Sequence, residues 1–171
     1  IPRGQAAGYT MTRPDTDDNH LTKAKLLDDI VMTLGGRVAE EIVIKDISAG
    51  ASGDIQAVTK RARLMVTEWG MSDKVGNLSF YDSTGSRGYD LTKPYSEKTA
   101  ELIDKEVKDL IDMIHDRTEK ILRDNFDGFT QLAELLLEKE VIFADDLERI
   151  FGPRAGVKPG EDIPKDPEET A

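Results

Sequence analysis

The fold class of this chain is decided by residues 22–42, which read TKAKLLDDIVMTLGGRVAEEI. Apolar residues recur in this stretch every three or four positions, the spacing that places side chains on one face of an α-helix. The predicted core face consists of Leu26, Leu27, Ile30, Val31, Leu34, Val38 and Ile42. The pattern predicts a long helix that begins near Thr22. Because Gly35 and Gly36 each weaken a helix by about 1 kcal/mol relative to Ala, we expect another backbone to pack closely against them.

Helical patterns continue on the C-terminal side of this stretch. Ser52 is predicted to cap a second helix that runs to about Trp69, with Gly70 as its left-handed stop. A helix of nearly thirty residues is predicted from Ser96, because apolar residues recur along it at heptad-like intervals with charges on the other faces. Two shorter helices are predicted at 129–139 and 145–151.

The long helix has two alternative packing arrangements. Its apolar spacing would suit a coiled-coil seam, but the repeat falters at Arg117 and Thr118. We therefore expect it to pack into a helical bundle.

Two short segments have the composition of strands, residues 1–12 and residues 75–81. The sequence thus predicts a mainly α domain with a small β element over residues 1–152. Residues 153–171 contain four prolines, several acidic residues and almost no apolar side chains, which predicts a disordered acidic tail.

Composition excludes several classes of protein. The chain has 171 residues, a net charge of -11 and no cysteine. Such a charge opposes binding to a phosphate backbone, so no nucleic-acid partner is expected. The absence of cysteine excludes disulfides and every thiolate zinc site. No apolar run reaches the roughly 18–20 residues of a membrane span, so this segment is expected to be soluble, without membrane contact of its own. The start at Ile1, without an initiator Met, suggests a piece of a larger protein.

One acidic residue is placed where it can do chemistry. The stretch Gly50-Ala51-Ser52-Gly53-Asp54 opens the second predicted helix and puts Asp54 at its second position. An isolated Asp in a helix's first turn is more often a simple dipole partner, which stabilises the helix by about 0.3–1 kcal/mol. A carboxylate there is also a good fixed ligand for a divalent metal. The chain lacks the further imidazoles at ligand spacing that would complete such a site.

Several motifs, in order along the chain, resemble the C-terminal peptidase domain of the FtsH-type, membrane-anchored, ATP-dependent zinc metalloproteases. Residues 35–41 match the family's GGR-x-AEE helix, and residues 50–55 match its GAS-x-D-[IL] segment. Residues 65–72 match the helix end that follows this segment, and residues 95–100 and 103–107 match the start of the family's long helix. Residues 1–4 and 8–10 resemble the family's strand after the zinc-binding helix. The resemblance covers nearly the whole chain before the tail. It implies a helical metallopeptidase domain, incomplete at its N-terminus, whose small β element lies near the substrate cleft.

The resemblance implies that Asp54 is the third protein ligand of a catalytic zinc. In the family the other two ligands are the histidines of an HExxH helix, whose Glu is the general base. That helix lies upstream of the matching region, so we expect no catalytic residue in this chain and no peptidase activity from the fragment alone. The two histidines present, His20 and His115, lack the HExxH spacing and are interpreted as ordinary surface residues.

Other positions carry weaker expectations. Glu40 and Glu41 end the GGR-x-AEE match and could reach positions behind the metal ligands, although charged residues on a helix are usually solvated or paired. An extended substrate could add as a strand beside residues 8–10. Gly53 stands where many family members have Asn, which leaves the ligand position untouched.

The resemblance also implies a biological setting. The full-length protein would be a hexameric, ATP-driven protease at the cytoplasmic face of the bacterial inner membrane, degrading membrane and unstable cytosolic proteins. ATP would act only through an upstream module. The alternative is a noncatalytic helical oligomerisation module, a pseudopeptidase, in which the long helix and the acidic surface serve assembly.

Overall fold

The computed structural model describes residues 21–80 and 95–153, and most of them are helical. The α-helices of these residues are α1 (Lys23–Ala39), α2 (Ser52–Thr67), α3 (Glu97–Asp124), α4 (Phe126–Lys139) and α5 (Ala144–Phe151). A π-helical turn, Glu40–Ile44, extends α1, and a 3-10 turn, Ala49–Ala51, leads into α2. The prediction of a mainly α fold is confirmed.

The first helix begins where the sequence predicted. The Thr22 hydroxyl oxygen accepts a hydrogen bond from the backbone N–H of Lys25 at 3.2 Å and caps α1. The buried residues of α1 are Leu26, Ile30, Leu34 and Val38. These side chains form one apolar cluster with Val58 and Met65 of α2 and Ile114 of α3. The predicted core face of α1 therefore joins three helices.

The two glycines of α1 do not lie at a crowded crossing within the described residues. A Cβ atom added to Gly35 or Gly36 would meet no atom of these residues within 4 Å. The expected close packing is wrong for this part of the chain, because α2 and α3 pack on the face that carries Leu34 and Val38.

The segment after α2 is a turn and not the predicted strand. Gly70 has φ +60°, which confirms it as the left-handed stop of the helix. The chain then folds back on α2, and the N–H of Phe80 donates to the Thr67 carbonyl at 2.8 Å. Val75 is buried against side chains of α2 and α3. The strand predicted at 75–81 is wrong over 75–80, because this backbone bonds to the end of α2 and to its own turn.

The long helix α3 packs against both α1 and α2, as the bundle prediction required. Its buried residues are Ala100, Ile103, Val107, Ile114 and Thr118. Thr118, where the apolar repeat falters, is buried, and its hydroxyl is satisfied by donating to the Ile114 carbonyl at 2.8 Å. The core face of α3 therefore continues through this position.

A polar contact ties the turn after α2 to α3. Lys74 Nζ lies 2.6 Å from Glu106 Oε1, and the Ser72 hydroxyl donates to Glu106 Oε2 at 2.9 Å. The hydrogen bond from Lys74, joined by the one from Ser72, holds the pKa of the Glu106 carboxyl below its ordinary value. The Glu106 side chain is only 11% exposed, so this carboxylate belongs to the packed interface.

The chain divides after Asp124 into two compact units, and the described part of the second contains α4 and α5. The buried side chain of this part is a carboxylate, Asp146. Lys139 Nζ donates to it at 2.9 Å and Arg149 Nη2 at 2.7 Å. These cations, Lys139 foremost, lower the pKa of Asp146. The carboxylate also accepts the N–H of Phe143 at the start of α5, so one acidic residue joins the two helices.

Some sequence predictions lie outside the described residues. These are the strand at 1–12, His20 and nearly all of the tail at 153–171. The boundary of the domain at residue 152 stays a prediction. Among the helices that the structure describes, none combines the length and the apolar character needed to cross a bilayer.

Candidate metal centre

Asp54, the predicted metal ligand, is the third residue of α2, and its side chain is exposed. Within the described residues its carboxylate takes part in no hydrogen bond or ion pair. Its position in the first turn lets the helix dipole stabilise the negative charge. Both carboxylate oxygens therefore remain available to an external ligand.

The start of α2 differs by one residue from the prediction. Ser52 is the first helical residue and makes no capping hydrogen bond; the residue before the helix is Ala51. Capping is performed earlier, because the Ser48 hydroxyl accepts from the Gly50 N–H at 3.2 Å and caps the 3-10 turn. A Cβ on Gly50 would lie 3.1 Å from that hydroxyl, so glycine permits the close approach. Asp54 is consequently in the third helical position, not the second.

Two residues of the GGR-x-AEE match hold Ser48. The Ser48 hydroxyl donates to Glu40 Oε1 at 2.9 Å, and its backbone N–H donates to Glu40 Oε2 at 3.4 Å. Arg37 Nη1 donates to the Ser48 carbonyl at 3.2 Å. We call Arg37, Glu40 and Ser48 the Ser48 cluster. It connects the two sequence motifs physically, because Ser48 begins the turn that leads to Asp54.

The π-helical turn places Glu40 for this contact. The Lys45 N–H donates to the Glu40 carbonyl at 3.1 Å, five residues earlier, and Lys45 adopts the left-handed conformation with φ +57°. Such turns are often found at functional sites. Here the turn follows the end of α1, and the segment after it returns to Arg37, which donates to the Ser48 carbonyl.

Glu41 and His115 form a pair that the sequence did not reveal. His115 Nε2 lies 2.7 Å from Glu41 Oε2, and Arg37 Nε donates to Glu41 Oε1 at 3.0 Å. Both side chains of the pair are about one-third exposed, so His115 is at the surface as predicted but has a partner on another helix. The part of the chain that the structure describes brings together no three His, Asp or Glu residues that could hold a metal. His115 and Glu41 thus join α3 to the π-helical turn after α1, and among the described residues they form no closed metal site with Asp54.

Sequence reasoning missed the roles of Arg37 and Ser48. The i,i+4 spacing of Arg37 and Glu41 was a usable signal for their pairing. The contact between Glu40 and Ser48 spans eight residues across an irregular turn, and that of Glu41 and His115 spans 74 residues. Periodicity carries no information about such contacts.

The donor chemistry at Asp54 suits zinc as one ligand among several. A carboxylate oxygen is an ordinary zinc ligand, but a catalytic zinc needs three protein ligands and an open position. Asp54 supplies one, exposed and without a competing cation. The residues present therefore fit a shared site that other donors complete.

Known proteins similar to this chain are peptidases. The profile of peptidase family M41 matches residues 1–150. The ATP-dependent zinc metalloprotease FtsH of Parabacteroides distasonis is 47% identical over 163 residues, covering 95% of this chain and 24% of that protein. ATP-dependent zinc metalloprotease FtsH 1 of Thermoanaerobacter sp. is 42% identical over 167 residues, covering 95% of this chain and 26% of the relative.

A plant relative extends the comparison. The mitochondrial ATP-dependent zinc metalloprotease FTSH 3 of Arabidopsis thaliana is 44% identical over 155 residues, covering 90% of this chain and 19% of that protein. The chain thus spans about a quarter of the length of the bacterial relatives, and less of the plant protein.

Proposed function

This chain belongs to peptidase family M41, and from that premise we propose that it is the part of a zinc metalloendopeptidase that supplies the third metal ligand, Asp54. The observation that carries the proposal is an exposed carboxylate without a partner among the described residues, located in the segment that matches the family's ligand motif.

The proposed role of each residue follows from the atoms that can bind the metal. Asp54 contributes one oxygen, and two histidines and a general-base Glu come from an HExxH helix upstream of the matching region. Zinc, when bound, polarises the scissile carbonyl and makes a water nucleophilic near neutral pH. The role of this chain is to hold the Asp54 carboxylate in place. The proposal predicts that the 171 residues alone do not cleave peptides.

The assembly of the whole protein is part of the same proposal. The relatives are named as ATP-dependent zinc metalloproteases and are about four times as long as the matched region. We infer an upstream ATP-hydrolysing module that delivers unfolded protein substrates, a hexameric ring, and a membrane anchor that places the protease at the cytoplasmic face of the bacterial inner membrane. The inferred substrates are membrane proteins and unstable cytosolic proteins.

The test compares two exposed aspartates in the full-length protein. Asp54→Ala removes the proposed ligand, while Asp73→Ala removes a carboxylate that has no partner in the described residues. Loss of a residue that merely supports a ligand costs roughly 10–100-fold in metal affinity or activity, so Asp54→Ala should cost at least the upper end of that range. Zinc content by mass spectrometry and casein cleavage measure the two effects. Wild-type zinc content and cleavage in Asp54→Ala would refute the ligand role.

A further inference from the structure

Residues 43–50, which lead to the Asp54 helix, are not held by apolar packing. Every one of these residues is exposed, including the large side chains of Val43, Ile44 and Ile47. The first buried residue after them is Ala51, at the end of the 3-10 turn. The side-chain contacts that the structure shows between this segment, α1 and the π-helical turn are polar.

Those polar contacts converge on Ser48. Its N–H and hydroxyl both donate to the Glu40 carboxylate, its carbonyl accepts from Arg37, and its hydroxyl also accepts from Gly50. All of the hydrogen-bonding groups of one exposed serine are thus used. A serine that served only as a cap would need the last of these bonds alone.

The route from Ser48 to Asp54 is short and helical. The 3-10 turn that Ser48 caps runs without interruption into α2, where the Ser52 N–H donates to the Ala49 carbonyl. Asp54 lies two residues further, in the first turn of the helix. A shift of Ser48 would displace this first turn, because no side-chain cap holds α2 at Ala51 or Ser52.

We propose that Ser48 and Arg37 are positioning residues for the Asp54 carboxylate, fixing the start of α2 so that one oxygen meets the zinc. The inference rests on the proposed function of Asp54. Arg37 suits the task because its planar fork reaches two partners at once, the Ser48 carbonyl through Nη1 and Glu41 through Nε. Lysine, a single point charge, cannot serve both acceptors with this geometry.

The experiment uses the full-length protein and measures zinc affinity by chelator competition. Ser48→Ala is expected to weaken zinc binding by roughly 10–100-fold, the range for groups that orient a metal ligand. Ser48→Thr keeps the hydroxyl and should restore most of that affinity, and Arg37→Lys should weaken it even where the protein folds normally. The matched control is Ser52→Ala, four residues away, whose hydroxyl makes no capping hydrogen bond. Its zinc affinity should equal that of the wild type.

A spectroscopic measurement separates positioning from general destabilisation. Cobalt substituted for zinc reports ligand geometry through its visible absorption, and Ser48→Ala should alter that spectrum at temperatures far below unfolding. Equal affinity and an equal cobalt spectrum in Ser48→Ala and Ser52→Ala, alongside a large loss in Asp54→Ala, would overturn the positioning role alone. An unchanged Asp54→Ala would overturn the ligand assignment and this inference together.

Discussion

The three packed helices α1, α2 and α3 and the exposed segment 43–50 are held in place by opposite kinds of interaction. The helices share an apolar cluster in which Ile30, Val38 and Ile114 have no measurable exposure. Segment 43–50 has no buried residue, although ordering each backbone residue costs roughly 1–2 kcal/mol. The hydrogen bonds that Ser48 accepts from Arg37 and donates to Glu40 offset part of that cost.

Apolar packing and hydrogen bonding perform different tasks in this unit. Apolar burial stabilises the unit and tolerates small shifts, since it is not directional. Hydrogen bonds contribute less free energy but fix distances and angles. The helices therefore provide the scaffold, and the Ser48 cluster determines where the candidate metal ligand lies.

The largest expected effect on stability comes from the core. Ile114→Ala removes a fully buried side chain shared by three helices. Such a cavity typically costs about 2–5 kcal/mol of unfolding free energy. Chemical denaturation of the 171-residue chain, followed by circular dichroism, measures the change.

The control for this prediction is the neighbouring residue on α3. Met113 is 48% exposed, so Met113→Ala should have a much smaller effect. Equal losses in the two variants would show that burial within α1, α2 and α3 does not dominate the stability of this unit. The comparison drawn above would then fail.

The core was largely predictable from the sequence. The spacing from Leu26 to Val38 indicated the buried face of α1, and the Thr22 cap and the Gly70 stop followed from ordinary helix chemistry. The strand predicted at 75–81 is wrong over 75–80, because its strand-like composition does not show that this backbone bonds to the end of α2 and to its own turn. Composition over so short a run does not distinguish a turn from a strand.

Within the candidate metal centre, only the proposed ligand Asp54 could be predicted from the sequence. Asp54 was found through a family motif, because one carboxylate at a helix start carries little information by itself. The contacts that hold it depend on a π-helical turn and on a left-handed Lys45, and neither has a periodic signature in the sequence. The contact between this turn and Ser48 spans eight residues of irregular backbone, which local pattern cannot supply.

An intermediate effect is expected from the contact of Glu106 with Lys74 and Ser72. It tests whether a polar contact also contributes to the stability of the packed helices. Its pKa is lowered in the folded state by Lys74 and Ser72, so its stabilisation is fully present above the unfolded value of about 4.3. That stabilisation is lost as the pH falls through the folded pKa. Glu106→Gln should lower the melting temperature at pH 7, and the difference from the wild type should shrink below about pH 4.3.

Glu101 on the same helix provides the control, because it is exposed and has no partner within the described residues. Glu101→Gln should leave the melting temperature nearly unchanged across this pH range. A difference between wild type and Glu106→Gln that stays constant from pH 7 to pH 3 would contradict the role of the Glu106 charge. The carboxylate would then act through packing alone.

The smallest effect concerns the other face of α1 and decides whether that helix has one packed face or two. Gly35 and Gly36 lie in the helix with no described atom within 4 Å of an added Cβ. Gly35→Ala and Gly36→Ala should each raise the unfolding free energy of the 171-residue chain by about 0.5–1 kcal/mol, because Ala loses less conformational entropy on folding. Chemical denaturation of the two variants measures this gain. A loss of stability instead would mean that another segment packs closely on these glycines, so that α1 is held on both faces and the scaffold extends beyond the three-helix core.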